Sequence, residues 1–426
     1  KRGNVGVLDA HCAHRGTSLE YGRIEENGIR CCYHGWLYAA DGTCLEQPGE
    51  PPGSLQKGRI AQPAYPAREY GGLVFAYMGP PDKEPLFPRF DILEQPGWKL
   101  FGYRNTSRGA VAECNWLQIQ ENAMDPIHTA FLHSTISSRH FTDIYATLPQ
   151  LDFKETPHGM KYVRTAKLPS GRTFVRVQEA YTPNMRSIAD NLTPDTPHSE
   201  RSTLIGWWVP VDNTHTIGFH IEAYDPNDQE KVTTFSRAKE GRTAGTQAPH
   251  RDYEDTQRNP DDKEAQVSQR PIAVHALERL ATTDRGVVMF RRMLRRAMED
   301  VRAGRDPQNV FRDPDQCIIN VIAGNATASS TSHTATAITT TVPPYSSSRR
   351  SSSVGSSDFR SRVTRLFIVS RPAEIGSMPS AAMPARSRRL PRWRTGRRRS
   401  AASRAWRKFT TSTIWCRSVN TFRSGP

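Results

Sequence analysis

The segment 12–36 contains two short runs, CAHRG and CCYHGW, in which a cysteine is followed closely by a histidine. The first pair is Cys12 and His14, and the second pair is Cys31 and His34. A glycine comes shortly after each histidine, as expected where a tight loop needs a small residue for close backbone approach. Two such loops can close on one metal centre, so these two runs predict how the N-terminal region folds.

The ligand types favour an iron–sulfur cluster. Thiolates hold iron, and in a Rieske [2Fe–2S] centre two histidines replace two of the thiolates on one iron. Structural zinc sites usually carry Cys-x2-4-Cys pairs, which these two runs lack. The sequence therefore predicts that Cys12, His14, Cys31 and His34 bind a [2Fe–2S] cluster.

A second motif, ENAMDPIHTAFLH, occupies residues 121–133. On a regular helix Glu121, Asp125 and His128 share one face, whereas His133 is turned about 140° away from His128. Both imidazoles can reach one metal only if the helix ends or carries a wide turn of the π type between them. Two histidines and a carboxylate form the facial triad of non-haem iron(II), which leaves positions open for dioxygen.

The carboxylate of this triad has to come from another part of the chain. Asp284 is the preferred candidate, because it opens a helix predicted for 281–302. On the residues alone, an equal alternative for Asp284 is a charge that the helix dipole favours at the N-terminus. The competitors lie in a polar segment that we interpret as a loop, and they are Asp252, Glu254, Asp255, Asp261 and Asp262.

The chain divides into three regions. Residues 1–105 alternate short β-like runs with turns and include a proline-rich linker at 80–88. Residues 106–325 combine helical segments, an antiparallel sheet between 151 and 225, a long polar loop over 226–270, and an amphipathic helix at 281–302. Residues 326–426 form a low-complexity basic tail.

The net charge of +15 comes from that tail. Nineteen Lys and Arg but only two Asp and Glu lie after residue 320, which leaves the first 320 residues at −2. Disorder is one interpretation of the tail and a native basic arm is another, but our preferred hypothesis is out-of-frame translation of a GC-rich gene. A nucleic-acid partner would be left with the tail alone, so we expect none.

Two further observations concern the cellular setting. No apolar run is long enough to cross a bilayer, so we expect no membrane partner. The seven cysteines are scattered and do not form a secreted disulfide framework. We therefore expect a cytoplasmic protein.

Four phrases resemble the α subunits of Rieske non-haem iron ring-hydroxylating oxygenases, and in particular the phthalate and phenoxybenzoate dioxygenase group. The phrases are CAHRGTSLEYG at 12–22, RCCYHGWL at 30–37, WWVPVD at 207–212 and TTDRGVVM at 282–289. The resemblance implies an α+β protein with an all-β Rieske domain, followed by a catalytic domain whose antiparallel sheet is flanked by helices. It also implies further strands before the first cluster loop, so the Rieske domain is expected to be N-terminally truncated.

The same resemblance implies roles for individual residues. It places the iron carboxylate in the last phrase, at Asp284, beside His128 and His133. It implies a head-to-tail homotrimer in which Asp125 bridges His128 of its own chain and His34 of the adjacent chain.

The implied activity is that of the oxygenase component of an aromatic ring-hydroxylating dioxygenase. Electrons from NAD(P)H would arrive through a separate reductase or ferredoxin, and mononuclear Fe(II) would activate O2 beside a small aromatic, carboxylated substrate. The chain shows no glycine-rich nicotinamide fingerprint, in agreement with a separate reductase. A monooxygenase or O-demethylase on the same scaffold is the main alternative, and a Rieske electron carrier is a remoter one.

Overall fold

The computed structural model of the chain describes residues 5–54, 56–105, 111–136, 143–189, 200–239, 252–328 and 366–369. Apart from 326–328 and 366–369, the tail predicted for 326–426 lies outside the described residues. The described part contains four small sheets and one nine-stranded sheet, accompanied by helices. This is the α+β organisation expected from the sequence.

The N-terminal region consists of short strands, as predicted. These strands are β1 (Gly6–Asp9), β2 (Arg23–Ile24), β3 (Ile29–Arg30), β4 (Leu37–Tyr38), β5 (Cys44–Glu46), β6 (Ala64–Tyr65), β7 (Ala67–Tyr70) and β8 (Leu73–Ala76). Strands β2 to β5 form an antiparallel sheet in sequence order, and β7 and β8 form a two-stranded antiparallel sheet. The one short helix, α1, spans Gln56–Arg59. Leu8, Ile29 and Tyr38 are buried in a common core with the cluster cysteines.

The proline-rich segment predicted as a linker packs onto the protein core. Phe87 contacts Phe75, with ring centroids 5.0 Å apart. Phe90, in strand β9 (Arg89–Phe90), lies 6.1 Å from the Trp207 ring. Because these rings bury apolar surface, the segment is held in place rather than solvated.

The second region is organised around the nine-stranded sheet. Its strands are β10 (Lys99–Asn105), β11 (Gln150–Thr156), β12 (Gly159–Lys167), β13 (Thr173–Tyr181), β14 (Met185–Ser187), β15 (Glu200–Arg201), β16 (Leu204–Pro210), β17 (Thr216–Tyr224) and β19 (Gly324–Ala328). The order is β10-β17-β16-β14-β13-β12-β11, and β19 pairs with β13 and β15. All pairs are antiparallel, as expected. Strand β10 belongs to this sheet, although the sequence analysis placed it in the first region.

Two further strands lie outside this sheet, and each of them pairs in parallel with a strand of the N-terminal part of the chain. Strand β18 (Ile318–Ile319) lies beside β9. Strand β20 (Leu366–Val369) lies beside β1.

The two faces of the large sheet carry different cores. Trp207 and Trp208 are neighbours in β16, and because side chains alternate along a strand they belong to separate clusters. Trp208 lies on the face that packs against helices, where Gln178 of β13 donates a hydrogen bond to the carbonyl of Ala123 at 3.0 Å. This face therefore supports the segment that carries the second motif.

Residues 226–270 were predicted to be a loop, but the described part of this range contains three helices. The helices of the second region are α2 (Trp116–Asn122), α3 (His128–Phe131), α4 (Gln229–Lys239), α5 (Tyr253–Arg258), α6 (Asp262–Val267) and α7 (Arg285–Arg302). Asp252 and Asp261 are the N-caps of α5 and α6. Both helices are short and polar, so they lack the apolar periodicity on which the prediction depended.

Helix α7 confirms the amphipathic pattern. Val287, Phe290, Leu294 and Ala297 are buried along one face, and Gly304 follows the helix with a φ of +75°. Within the described residues, no helix combines the length and the apolar character that a membrane span requires.

Candidate metal centres

The two loops of the first motif are closed by the same backbone hydrogen bonds. The amide of Gly16 donates to the carbonyl of Cys12 at 2.8 Å, and the amide of Gly35 donates to the carbonyl of Cys31 at 3.1 Å. The amide of each cysteine also donates to the carbonyl five residues later, at 2.9 and 2.8 Å. The loops thus hold their cysteines in equivalent ways, while the histidine is two residues after the cysteine in the first loop and three residues after it in the second.

The backbone conformation of these loops gives a further reason for their glycines. Gly16 has a φ of +76° and Gly35 a φ of +72°, in the left-handed region that side chains disfavour. A Cβ on Gly16 would meet no atom within 4 Å. Backbone conformation alone is therefore enough to favour glycine at position 16.

The four predicted cluster ligands lie together. The rings of His14 and His34 have centroids 4.6 Å apart, and Cys12 and Cys31 are buried beneath them. His14 Nδ1 is buried and has no hydrogen-bond partner among the described residues. An imidazole nitrogen left in this state fits a histidine that binds iron.

The chemistry of the donors agrees with this assignment. Burial raises the pKa of the Cys31 thiol, so iron has to displace a proton to bind the thiolate. Burial and then the nearby His14 and Arg15 lower the pKa of His34, which favours the neutral imidazole that a metal needs.

Two aromatic residues support these ligands, and the sequence analysis assigned neither a role. Trp36 stacks on His14 with centroids 4.2 Å apart and almost parallel planes. The Tyr38 hydroxyl lies 3.2 Å from Cys12 Sγ and is buried. Trp36 directly follows the glycine of the second loop, so its position in the motif was the available signal.

The second motif is a broken helix, as required to bring its histidines together. Asn115 caps α2, which ends at Asn122. After turns, α3 begins at His128 and passes into a π-helical turn over Leu132–Ile136. The predicted wide turn is therefore present at His133.

The interruption changes the partners of the acidic residues. Glu121 does not share a face with Asp125 and His128, because the backbone leaves the helix after Asn122. Instead Glu121 forms a buried two-point ion pair with Arg291 of α7, at 2.5 and 2.7 Å.

The carboxylate beside the two histidines is Asp262. Its Oδ1 lies 3.8 Å from His128 Nε2 and 3.4 Å from His133 Nε2. These three side chains can present ligand atoms that all lie within 4.8 Å of one another, as a single metal ion requires. Asp262 follows the N-cap of α6, so a helix start directs it to the site.

The carboxylate preferred from the sequence, Asp284, is not part of this group of described residues. The Asp284 carboxylate accepts a hydrogen bond from the Ala281 amide at 2.6 Å, at the start of the helical segment that leads into α7. That is the helix-terminal role given above as the alternative. Asp262 was given less weight because it lies in the segment predicted as a loop, although its Asp-x-x-Glu capping pattern is visible in the sequence.

The surroundings of His128 favour metal binding. Burial lowers the pKa of His128, against the opposing effects of Asp262 and Asp125, and so favours the neutral ring. His128 Nδ1 donates a short hydrogen bond to the carbonyl of Asp125. The tautomer is then fixed, and the lone pair on His128 Nε2 points towards Asp262.

Two more polar groups border this site. The Asp125 carboxylate lies 3.8 Å from His128 Nδ1 and is 36% exposed. The Asn122 amide nitrogen lies 3.3 Å from His128 Nε2 and 3.1 Å from Asp262 Oδ1. Asn122 was part of the quoted motif, but the sequence analysis gave it no role.

Comparison with known proteins agrees with both centres. A Rieske [2Fe-2S] domain is matched by residues 1–66. The α subunit of phenoxybenzoate dioxygenase from Ectopseudomonas oleovorans is 38% identical over 336 residues, which are 76% of this chain and 79% of that subunit. The chain belongs to the Rieske non-haem iron oxygenases. The resemblance seen in the motifs is thereby confirmed.

Other members of the family differ in their reactions. The oxygenase subunit of tert-butanol monooxygenase / tert-amyl alcohol desaturase from Aquincola tertiaricarbonis is 40% identical over 329 residues, 73% of this chain and 68% of that subunit. The solved structure of a Pseudomonas putida CBB5 NdmA mutant with caffeine has a TM-score of 0.50 at 20% identity. The match covers 70% of this chain and 79% of the NdmA chain, and at this identity it supports the fold alone.

A Rieske oxygenase requires a [2Fe–2S] cluster and a mononuclear iron, and the residues of this chain fit both. Cys12, His14, Cys31 and His34 fit the cluster by donor type, burial and loop geometry. The group of His128, His133 and Asp262 fits iron, because two imidazoles and one carboxylate are the donors of a facial triad.

Proposed function

We propose that this protein is the terminal oxygenase of a multicomponent system that hydroxylates a small aromatic, carboxylated substrate. The observation that carries the proposal is the presence, in one chain, of two separate donor sets with different chemistry. Two thiolates and two imidazoles suit an electron-storing cluster, and two imidazoles with one carboxylate suit an oxygen-activating iron.

The residues of the second donor set have different roles at the iron site. When bound, the cluster supplies single electrons and the iron activates dioxygen. His128, His133 and Asp262 would hold the metal, while the carbonyl of Asp125 keeps the proton on His128 Nδ1. Asn122 lies beside the same site, where its amide nitrogen is within hydrogen-bond distance of His128 Nε2 and Asp262 Oδ1.

Asp125 is proposed to connect the two centres across a subunit boundary. Its carboxylate is 36% exposed and lies 3.8 Å from His128 Nδ1, so it is available to a neighbouring protein surface. Among the described residues of one chain, no hydrogen bond joins it to His34. A head-to-tail homotrimer with His34 of the adjacent chain beside Asp125 supplies that contact, and a separate reductase or ferredoxin supplies the electrons.

The names of the relatives support an aromatic substrate without fixing the reaction. Phenoxybenzoate dioxygenase carries an aromatic carboxylate in its name. At similar identity, the tert-butanol relative is a monooxygenase and desaturase. We therefore retain monooxygenation, including O-demethylation, as the second candidate.

Metal analysis and product analysis test the proposal together. The oxygenase should contain about three irons and two acid-labile sulfides per chain, whereas an electron carrier of the Rieske type should contain about two irons. With a reductase and labelled O2, a dioxygenase places two labelled oxygens in its product and a monooxygenase places one. A protein with a cluster but no third iron would contradict the proposal.

A further inference from the structure

His133 lies between two consecutive aspartates. Its Nε2 is 3.4 Å from Asp262 Oδ1, and its Nδ1 is 3.7 Å from Asp261 Oδ1. The His133 side chain is 3% exposed and Asp261 is fully buried. The two aspartates therefore approach opposite nitrogens of one buried ring.

His128 is arranged in the same way. Its Nε2 also faces Asp262, and its Nδ1 faces Asp125. Each ligand ring therefore has an aspartate behind the nitrogen that points away from the metal position. The two outer aspartates differ in their surroundings, because Asp125 is partly exposed whereas Asp261 is buried.

We propose that Asp261 is a positioning residue for the iron site, acting through His133. This inference rests on the iron site of the proposed function. A ligating histidine usually donates its other N–H to a carboxylate, which fixes the tautomer and increases the basicity of the ring. Asp261 holds the proton on His133 Nδ1 and leaves the Nε2 lone pair for the metal.

The remaining gap between the two groups is small. At 3.7 Å the contact is longer than an N–H···O hydrogen bond, and a closure of about 0.5 Å converts it into one.

Helix capping is a second role of Asp261 that has to be separated from the first. Asp261 Oδ1 accepts a hydrogen bond from the Asp262 amide at 2.6 Å, and its own amide donates to Glu264 at 2.9 Å. Asparagine and serine cap helices about as well as aspartate. Asp261→Asn and Asp261→Ser therefore preserve the cap and remove the charge.

The test compares Fe(II) affinity in the full chain. Fe(II) dissociation is measured by competition with a chelator, and the visible absorption of the cluster in the same sample reports that the chain is folded. Asp261→Asn is expected to weaken Fe(II) binding about 10- to 100-fold. The matched control is Asp252→Asn, which changes the N-cap of α5 and is expected to leave Fe(II) affinity unchanged.

Three outcomes are decisive. If Asp261→Asn and Asp261→Ser bind Fe(II) as tightly as the unaltered protein, the inference is overturned. If the unaltered protein binds no mononuclear iron, the proposed function fails instead. If both variants fail to fold, NMR of the unaltered protein loaded with cobalt(II) decides, since a His133 ring without a proton on Nδ1 contradicts the proposal.

Discussion

Replacing Arg291 by methionine should destabilise the protein by about 3–5 kcal/mol, because the change strands a buried charge. Arg291 donates to both carboxylate oxygens of Glu121, at 2.5 and 2.7 Å, and also to Glu278. Glu121 is only 8% exposed, so water cannot replace the guanidinium. The pair joins α2, which leads into the iron site, to α7.

The size of the effect should depend on pH. Burial already raises the pKa of Glu121 against the opposing effect of Arg291, and removal of Arg291 raises that pKa further. At a pH between the pKa of Glu121 in the unfolded state and its higher pKa in the folded state, the folded state holds a proton that the unfolded state releases. The free energy of unfolding therefore falls as pH rises through that interval. Arg291→Met should therefore lose more stability at pH 8 than at pH 5.

Urea unfolding of the metal-free protein, followed by circular dichroism, measures both effects. The matched control is Arg296→Met, on the same helix, because Arg296 pairs with Glu155 at 2.6 Å while both side chains are about half exposed. An exposed pair of this kind contributes about 0–1 kcal/mol. If Arg291→Met costs no more than Arg296→Met, the reasoning about the buried pair is refuted.

Three further predictions concern the metal centres. Asp262→Ala should lose the mononuclear iron and keep the cluster, whereas Asp284→Ala should keep both; metal analysis checks this, and the opposite pattern would restore Asp284 as the ligand. Asp125→Ala should retain both metals yet abolish turnover, and normal turnover with full coupling to product would contradict the bridge. Gly35→Ala should cost about 1–2 kcal/mol, because it forces a side chain into the left-handed region, and should lower cluster content. Gly49→Ala, which has no positive φ and open space around it, is the control and should do neither.

The cluster ligands could be predicted from the sequence because all four lie in two local runs. Each loop is closed by bonds between residues at most five positions apart, so spacing alone specifies the geometry. The π turn at His133 followed from similar reasoning. Two histidines five residues apart cannot face one metal on a regular helix.

The carboxylate that lies beside the two histidines could not be identified by the same route. Asp262 is separated from His128 by most of the large sheet, and only the fold brings them together. Its helix has almost no apolar periodicity, so the segment resembled a loop. Asp284 was preferred because it lies at the start of α7, whose apolar pattern is more regular. The capping pattern at Asp261 was a usable signal, but it indicates a helix start and carries no information about metal binding.

The matching loops of the N-terminal region bear on how the cluster is acquired. Both loops are closed by the protein's own backbone, and their left-handed glycines are set by the chain itself. The backbone therefore supplies part of the order that the cluster site needs, which reduces the conformational entropy lost when a cluster is inserted.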